Sequence, residues 1–349
     1  MRLDDGERWL WRAAARLALA PAAWLFGAGT LLHGALYAHG ALRRRALPIR
    51  VVSVGSLVAC GESVTHTAAW IANALHRRGH RVALAARGTG GSRRGREVLV
   101  VSDGRYVKSR VEVAGASAMI LAAHSPGIPV LVGRDRFHVG LRAASAFDTE
   151  ILVIDDGFRC HSLERDADVV VIDGRSGFGN RQPLPCGPLQ EPVRALRRSG
   201  AVGVIDGPLN GKDGEVLRRF GSEAFGFVAH RRPVGVRPLR GGAADPPEVL
   251  DGAAVGLISG LARPTSLRNT VERLGAVVVT ERSFRDHHRY GPRDMRYLYR
   301  NAPLWITTER DAIKINPDWI GRASVRVLSI ELEVPQEGPL LDWLEASLR

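Results

Sequence analysis

Ile49-Arg50-Val51-Val52-Ser53-Val54 runs into Gly55-Ser56-Leu57-Val58-Ala59-Cys60-Gly61-Glu62-Ser63-Val64-Thr65, and the stretch from Thr65 to Arg78 follows. The first segment is short, apolar and β-branched, which predicts a buried strand. In the last, Ala68, Ile71, Ala72 and Leu75 fall on one face of a helix. Strand, glycine-containing loop and helix start form the layout of a phosphate-binding loop, whose backbone N–H groups and helix dipole face an anion. Such a loop normally ends Gly-Lys-Ser/Thr, the lysine reaching the β- and γ-phosphates and the hydroxyl serving the metal. Here Ser63-Val64-Thr65 stands in that place, so only the hydroxyl of Thr65 remains, with Glu62 adding negative charge beside it. An ordinary strand–helix turn accounts for the same residues.

The rhythm continues outward. Val82–Ala86, Val130–Val132, Ile151–Ile154 and Val169–Ile172 predict buried strands, while 116–123 and 135–146 predict helices. Val98–Ser102 and Tyr106–Val111 predict a hairpin around Asp103-Gly104. Phe178–Pro192 is a loop stiffened by four prolines. A second unit is expected from Arg231, beyond which Gly235–Pro247 reads as a connection. Strands over 255–259, 277–280, 304–307 and 325–330 then alternate with helices over 265–274, 292–299 and 340–348. The pattern predicts an α/β protein with a mostly parallel sheet. It divides as 1–46, an N-terminal helical segment; 47–230, a nucleotide-binding core; and 231–349, a smaller C-terminal α/β domain.

With 349 residues, 45% hydrophobic and 24% charged, the chain is long enough for two domains and excludes disorder and fibrous classes. Cys60, Cys160 and Cys186 are too scattered for a disulfide framework or a zinc site. The net charge of +13 comes from arginine, since only Lys108, Lys212 and Lys314 are lysines. Such a surface attracts anions. Nucleic acid is not the expected partner, because the arginines are dispersed and no aromatic-interleaved basic motif occurs. Leu17–Ala38 carries no Asp, Glu, Lys or Arg and lies between Arg2, Arg8, Arg12, Arg16 and the run Arg43-Arg44-Arg45. It reads as an interfacial helix drawn to an anionic membrane surface; a core helix and a true span are the alternatives.

Three further clusters could carry chemistry. Asp155-Asp156-Gly157 follows a buried strand, where two carboxylates suit Mg²⁺ beside a nucleotide and a capped turn is the alternative. Phe284-Arg285-Asp286-His287-His288-Arg289-Tyr290 offers a base and its orienter, a metal site or a solvated loop. Thr307-Thr308-Glu309-Arg310-Asp311-Ala312 places hydroxyls at a helix start, which capping explains equally well.

Together these pieces resemble the tetraacyldisaccharide 4′-kinase family of lipid A biosynthesis, over nearly the whole chain. Arg87-Gly88-Thr89-Gly90-Gly91, Val132–Arg136, Ile154–Phe158, Asp173–Asn180, Leu184–Pro192, Ser259–Pro264, Phe284–Tyr290 and Thr307–Ala312 fall in the family's order. The resemblance implies a P-loop-kinase-like fold. It also implies transfer of the ATP γ-phosphoryl to the 4′-hydroxyl of the lipid A disaccharide precursor, with Mg²⁺, at the cytoplasmic face of the bacterial inner membrane. Residues carried over are Gly61, Ser63, Val64, Thr65 and Arg87 for the nucleotide, and Thr65, Asp155 and Asp156 for the metal. Asp286 and His287 are carried over for catalysis, His287 beside the base.

Two positions depart from the family pattern. Val64 stands where the phosphate lysine belongs, and Ala116 aligns with the catalytic base. Two readings follow: a divergent kinase, or a catalytically impaired paralogue that keeps the fold and its lipid and membrane binding.

Overall fold

The structure is a computed structural model describing residues 5–59, 62–92, 97–260, 264–285 and 288–349, with backbone alone for 5–18, 62 and 264. In chain order the elements are α1 (Asp5–Ala38), β1 (Arg50–Gly55), α2 (Glu62–Arg77), β2 (Val82–Ala86), β3 (Leu99–Asp103), α3 (Val111–Ala114) and α4 (Ala116–His124). Then come β4 (Pro129–Val132), α5 (Arg136–Phe147), β5 (Ile151–Asp155), β6 (Ala167–Asp173), β7 (Ala201–Ile205), α6 (Gly211–Phe220) and β8 (Phe225–Pro238). The rest is β9 (Ala254–Ser259), α7 (Pro264–Arg273), β10 (Val277–Ser283), α8 (Leu298–Asn301), β11 (Leu304–Thr308), α9 (Glu309–Ala312), β12 (Ser324–Glu333) and α10 (Glu337–Ser347).

The chain forms two compact units, and neither is continuous in sequence. The first comprises Met1–Arg87, Gly133–His230 and Val334–Arg349; the second comprises Gly88–Val132 and Arg231–Glu333. This grouping differs from a consecutive division at 46 and 230. The chain leaves the first unit at Gly88, returns at Gly133, and brings its C-terminal helix back to it.

In the first unit the strands lie in the order β8-β7-β6-β1-β5-β2, each pair parallel. β1 is central because Val51, Val52 and Val54 are apolar on both faces and fully buried. α10 is held here by Arg77–Glu337 and Arg78–Asp342 pairs and by Trp343 stacked on Phe225. The proline-rich loop clasps the start of the 55–65 loop: Ala59 N–H donates to Pro188 and Gln190 N–H to Leu57. Gly55 permits a second close approach, since a Cβ there would lie 2.5 Å from Phe158 Cβ.

α1 is longer than its apolar stretch. Leu19–Ala38 is long and apolar enough to cross a membrane, and only 6% of it is buried. A core helix would bury its apolar residues, but Trp24, Leu25 and Leu32 are largely exposed. Gly27 meets Pro183, and Gly34 lies against the His161 ring.

In the second unit β10-β9-β11-β12 are parallel neighbours, and β3 pairs antiparallel with β4. The expected hairpin over 98–111 is short: Ser102 bridges Val107 antiparallel, the Lys108 N–H donates to the Val101 carbonyl and the Asp103 N–H to the Tyr106 carbonyl. The Asp103 carboxylate accepts from the Arg105 and Tyr106 N–H groups and closes the turn. Tyr106 and Val107 are exposed. Gly235–Pro247 is not wholly a connection, because β8 runs on to Pro238.

Candidate functional site

β1 and β5 are adjacent and in register, with Val54 opposite Asp155. The chain leaves β1 through the loop and enters α2, which begins at Glu62, earlier than its periodicity indicates. Ser63, Val64 and Thr65 therefore sit in the first helical turn, all buried. Thr65 Oγ1 donates to Asp155, 3.2 Å from Oδ1. Strand order and helix start thus bring together two sequence-distant residues that were expected at the metal. Val64 is only 3% exposed. The Ser63 hydroxyl is buried and makes no hydrogen bond among the described residues.

Asp156 follows in a left-handed conformation, φ 53°. For a non-glycine residue that backbone is sparsely populated and marks a held turn. It borders a cavity of about 250 Å³, lined by Arg87, Arg134, Arg136 and Arg159 and, from α1, by His33 and Tyr37. Arg136 is buried, and its Nη1 donates to the Gly133 carbonyl at 2.6 Å. Burial lowers its pKa from the ordinary value, while Cys160, Asp155 and Asp156 oppose that shift. On the α1 side His161 is buried, with Nε2 3.2 Å from Glu191, which also accepts from Arg198 at 2.5 Å. The rings of His33 and Tyr37 lie 5.3 and 6.0 Å from that of His161.

Thr65, Asp155 and Asp156 offer a hydroxyl and two carboxylates. That oxygen donor set fits Mg²⁺, which takes one or two carboxylates and completes its shell with water and phosphate oxygens. Among the described residues no group of three His, Cys, Asp or Glu forms an all-protein metal cage. Arg87 lines the cavity as a predicted binding residue. Gly61, Asp286 and His287 lie outside the described residues. Ala116 is the first residue of α4, in the second unit. Arg136, Arg159, His33, Tyr37 and His161 were not anticipated from sequence. The only local signal was the density of arginine directly after β4 and after Asp155-Asp156-Gly157-Phe158.

A parallel sheet that sets a helix-start hydroxyl against the carboxylate ending the neighbouring strand, beside converging arginines, is the frame of a P-loop-type phosphotransferase. The model of the Tetraacyldisaccharide-1-P 4′-kinase family matches residues 15–349, and the chain belongs to that family. It is 38% identical over 334 residues to a Tetraacyldisaccharide 4′-kinase of Anaeromyxobacter sp. (strain Fw109-5), covering 93% of this chain and 89% of the relative. It is 33% identical over 334 residues to one of Geobacter sulfurreducens, covering 94% and 93%. The crystal structure of LpxK from Aquifex aeolicus in complex with ATP shares the fold, with a TM-score of 0.77 at 24% identity over 96% of this chain and 100% of that one.

Proposed function

We propose that this chain phosphorylates the 4′-hydroxyl of the lipid A disaccharide precursor with ATP and Mg²⁺, at the cytoplasmic face of the bacterial inner membrane. The observation that carries the reading is the Thr65–Asp155 contact, which retains the family's metal side where the loop has otherwise diverged. Bound there, Mg²⁺ would neutralise charge on the phosphates. Phosphoryl transfer needs little covalent help from the protein and depends on positioning and charge. Arg87, Arg134 and Arg159 supply fixed positive charge beside Asp156 for an anionic group. α1 presents Trp24, Leu25 and Leu32 to the bilayer and the acyl chains.

Two observations favour a second reading, an impaired paralogue that keeps lipid and membrane binding. Val64 is buried and brings no charge to a phosphate, and position 116 holds a methyl group. Losing an oriented charge-stabilising donor costs roughly 10²–10³ in rate, and losing a base roughly 10²–10⁴ more. The test is ATP-dependent phosphorylation of a tetraacyl disaccharide 1-phosphate. It compares the natural chain with a variant carrying Glu62→Thr, Ser63→Gly, Val64→Lys and Ala116→Asp. Turnover by the natural chain that matches the variant supports the first reading. Turnover by the variant alone supports the second.

A further inference from the structure

The second unit holds the positions that the family reading assigns to catalysis, and one short helix is bonded to the segment that carries 116 and to the turn that precedes the segment carrying 287. α9 spans four residues, yet its two carboxylates, one mostly and one fully buried, face different neighbours. Glu309 takes the His124 Nε2 contact at 3.0 Å, with both side chains about six-sevenths buried. His124 ends α4, the helix whose first residue is Ala116. Asp311 is fully buried. It accepts from the Gly260 N–H at 2.9 Å, from Thr308 Oγ1 at 2.9 Å and from Lys314 Nζ at 3.1 Å. The Thr308 oxygen also accepts from the Asp311 N–H, which caps the helix.

Tyr290 packs close to the Gly260 turn, and its buried hydroxyl makes no hydrogen bond among the described residues. Above Gly260 there is no room for a side chain: a Cβ would lie 3.0 Å from Tyr290 Oη and 3.1 Å from Asp311 Oδ1. Burial and the Asp311 charge together push the Tyr290 phenol far above its ordinary pKa, so it stays neutral. Phe284 is anchored at the other end by its N–H to the Ser259 carbonyl. Between them Phe284 stacks on His288 with centroids 4.4 Å apart, and the edge of Tyr290 meets His288 at 4.9 Å. His288 Nε2 lies 3.0 Å from Asp294.

We infer that α9 is the positioning element of this unit: Glu309 fixes α4, and with it position 116, while Asp311 holds the Ser259-Gly260 turn to which Phe284, at the start of the segment carrying His287, is bonded. A buried carboxylate that accepts from three donors, one of them 51 residues away in sequence, holds geometry, because removing its charge leaves those donors unpaired. The inference rests on the family reading of positions 116 and 287 for its catalytic meaning, but not for the bonds themselves.

The test uses the full chain with Glu309→Gln, Asp311→Asn and the pair Asp311→Asn with Lys314→Met. The pair leaves no stranded ammonium if the single substitution fails to fold. Amide hydrogen exchange is read first, over 116–124 and 284–290. Asp311→Asn or the pair should speed exchange in 284–290 by about tenfold or more, and Glu309→Gln should do so in 116–124. Unchanged exchange over 284–290 in a folded Asp311 variant overturns the inference. Where the natural chain turns over substrate, kcat should fall roughly 10- to 100-fold with the KM for ATP little changed, and the pH profile of kcat should shift. Conservative Lys314→Arg should stay near the natural chain on both readouts. A loosened segment with unaltered kcat overturns the positioning role. A natural chain without turnover counts against the kinase reading alone, and exchange then decides the role of α9.

Discussion

Arg45 donates to Asp135 at 2.6 Å, with its guanidinium 4.5 Å over the Phe137 ring. The third residue of the basic run after α1 is thus bound to the cap of α5, where Asp135 also accepts from the Phe137 N–H. Arg43 and Arg44 remain exposed.

This pairing separates two effects of removing α1. Deleting residues 1–40 should move the protein from the membrane pellet to the soluble fraction and lower the melting temperature by what His33 and Tyr37 contribute against His161. Deleting 1–46 should do the same and lower the melting temperature further, because the Asp135 partner is lost. The pair is partly exposed, so Arg45→Ala alone should cost no more than about 1 kcal/mol. Fractionation by ultracentrifugation with a melting curve on each variant decides it, and pellet association unchanged by the shorter deletion contradicts a membrane role for α1.

His124 gives a pH signature. Burial lowers its pKa, yet the Glu309 hydrogen bond and charge outweigh that and hold it above the ordinary value; Glu331 adds to the rise and Arg237 opposes it. A raised folded-state pKa stabilises the fold fully below the unfolded value of about 6.5 and loses that contribution as pH rises through the folded value. Glu309→Gln should therefore lower the melting temperature more at pH 6 than at pH 9. The His124 imidazole resonances should titrate at lower pH in the variant. Equal losses at both pH values would assign the contact to packing alone.

Val64→Lys by itself should destabilise the protein. The side chain is buried in the first turn of α2, and burying an unpaired ammonium costs several kcal/mol. The same lysine beside Ser63→Gly has a freer backbone that can rearrange around the ammonium. A melting curve should show the triple variant recovering much of the loss, and added ATP with Mg²⁺ should raise only the triple variant further. Equal melting temperatures for the single and triple variants would mean that the loop does not rearrange.

Arg134→Ala and Arg159→Ala test the cavity beside Asp156. A hydrogen bond from a charged donor contributes about 1.5–3 kcal/mol, so each loss should weaken binding of the disaccharide 1-phosphate roughly 10- to 150-fold. Binding of an uncharged disaccharide analogue should change little. Calorimetry with both ligands separates the two, and parallel losses for both would show that the arginines shape the pocket without reading its charge.

The alternation from Ile49 to Ile172 was legible because each segment carries its own pattern: β-branched runs for β1, β5 and β6, a short apolar run for β2, and one apolar face for α2. Thr65 and Asp155 were legible as candidates because a hydroxyl at a helix start and carboxylates at a strand end follow from local order. Their direct contact was not, because it depends on β1 lying beside β5. Local periodicity reports that a segment is buried, but not what buries it. For that reason the following segment is legible as a partner of β3, while β4, some thirty residues on, which supplies its longer ladder, is not. The excursion of 88–132 into the second unit and the return of α10 to the first are long-range closures of the same kind. The arginine-lined cavity, the Arg45–Asp135 pair and the two ties of α9 are meetings of side chains from distant parts of the chain. Composition and sequence pattern determined the α/β class, the family and the residue types available for phosphoryl transfer. Only tertiary structure decided which of them meet, since contact between distant residues is set by how the strands order and the helices close on them.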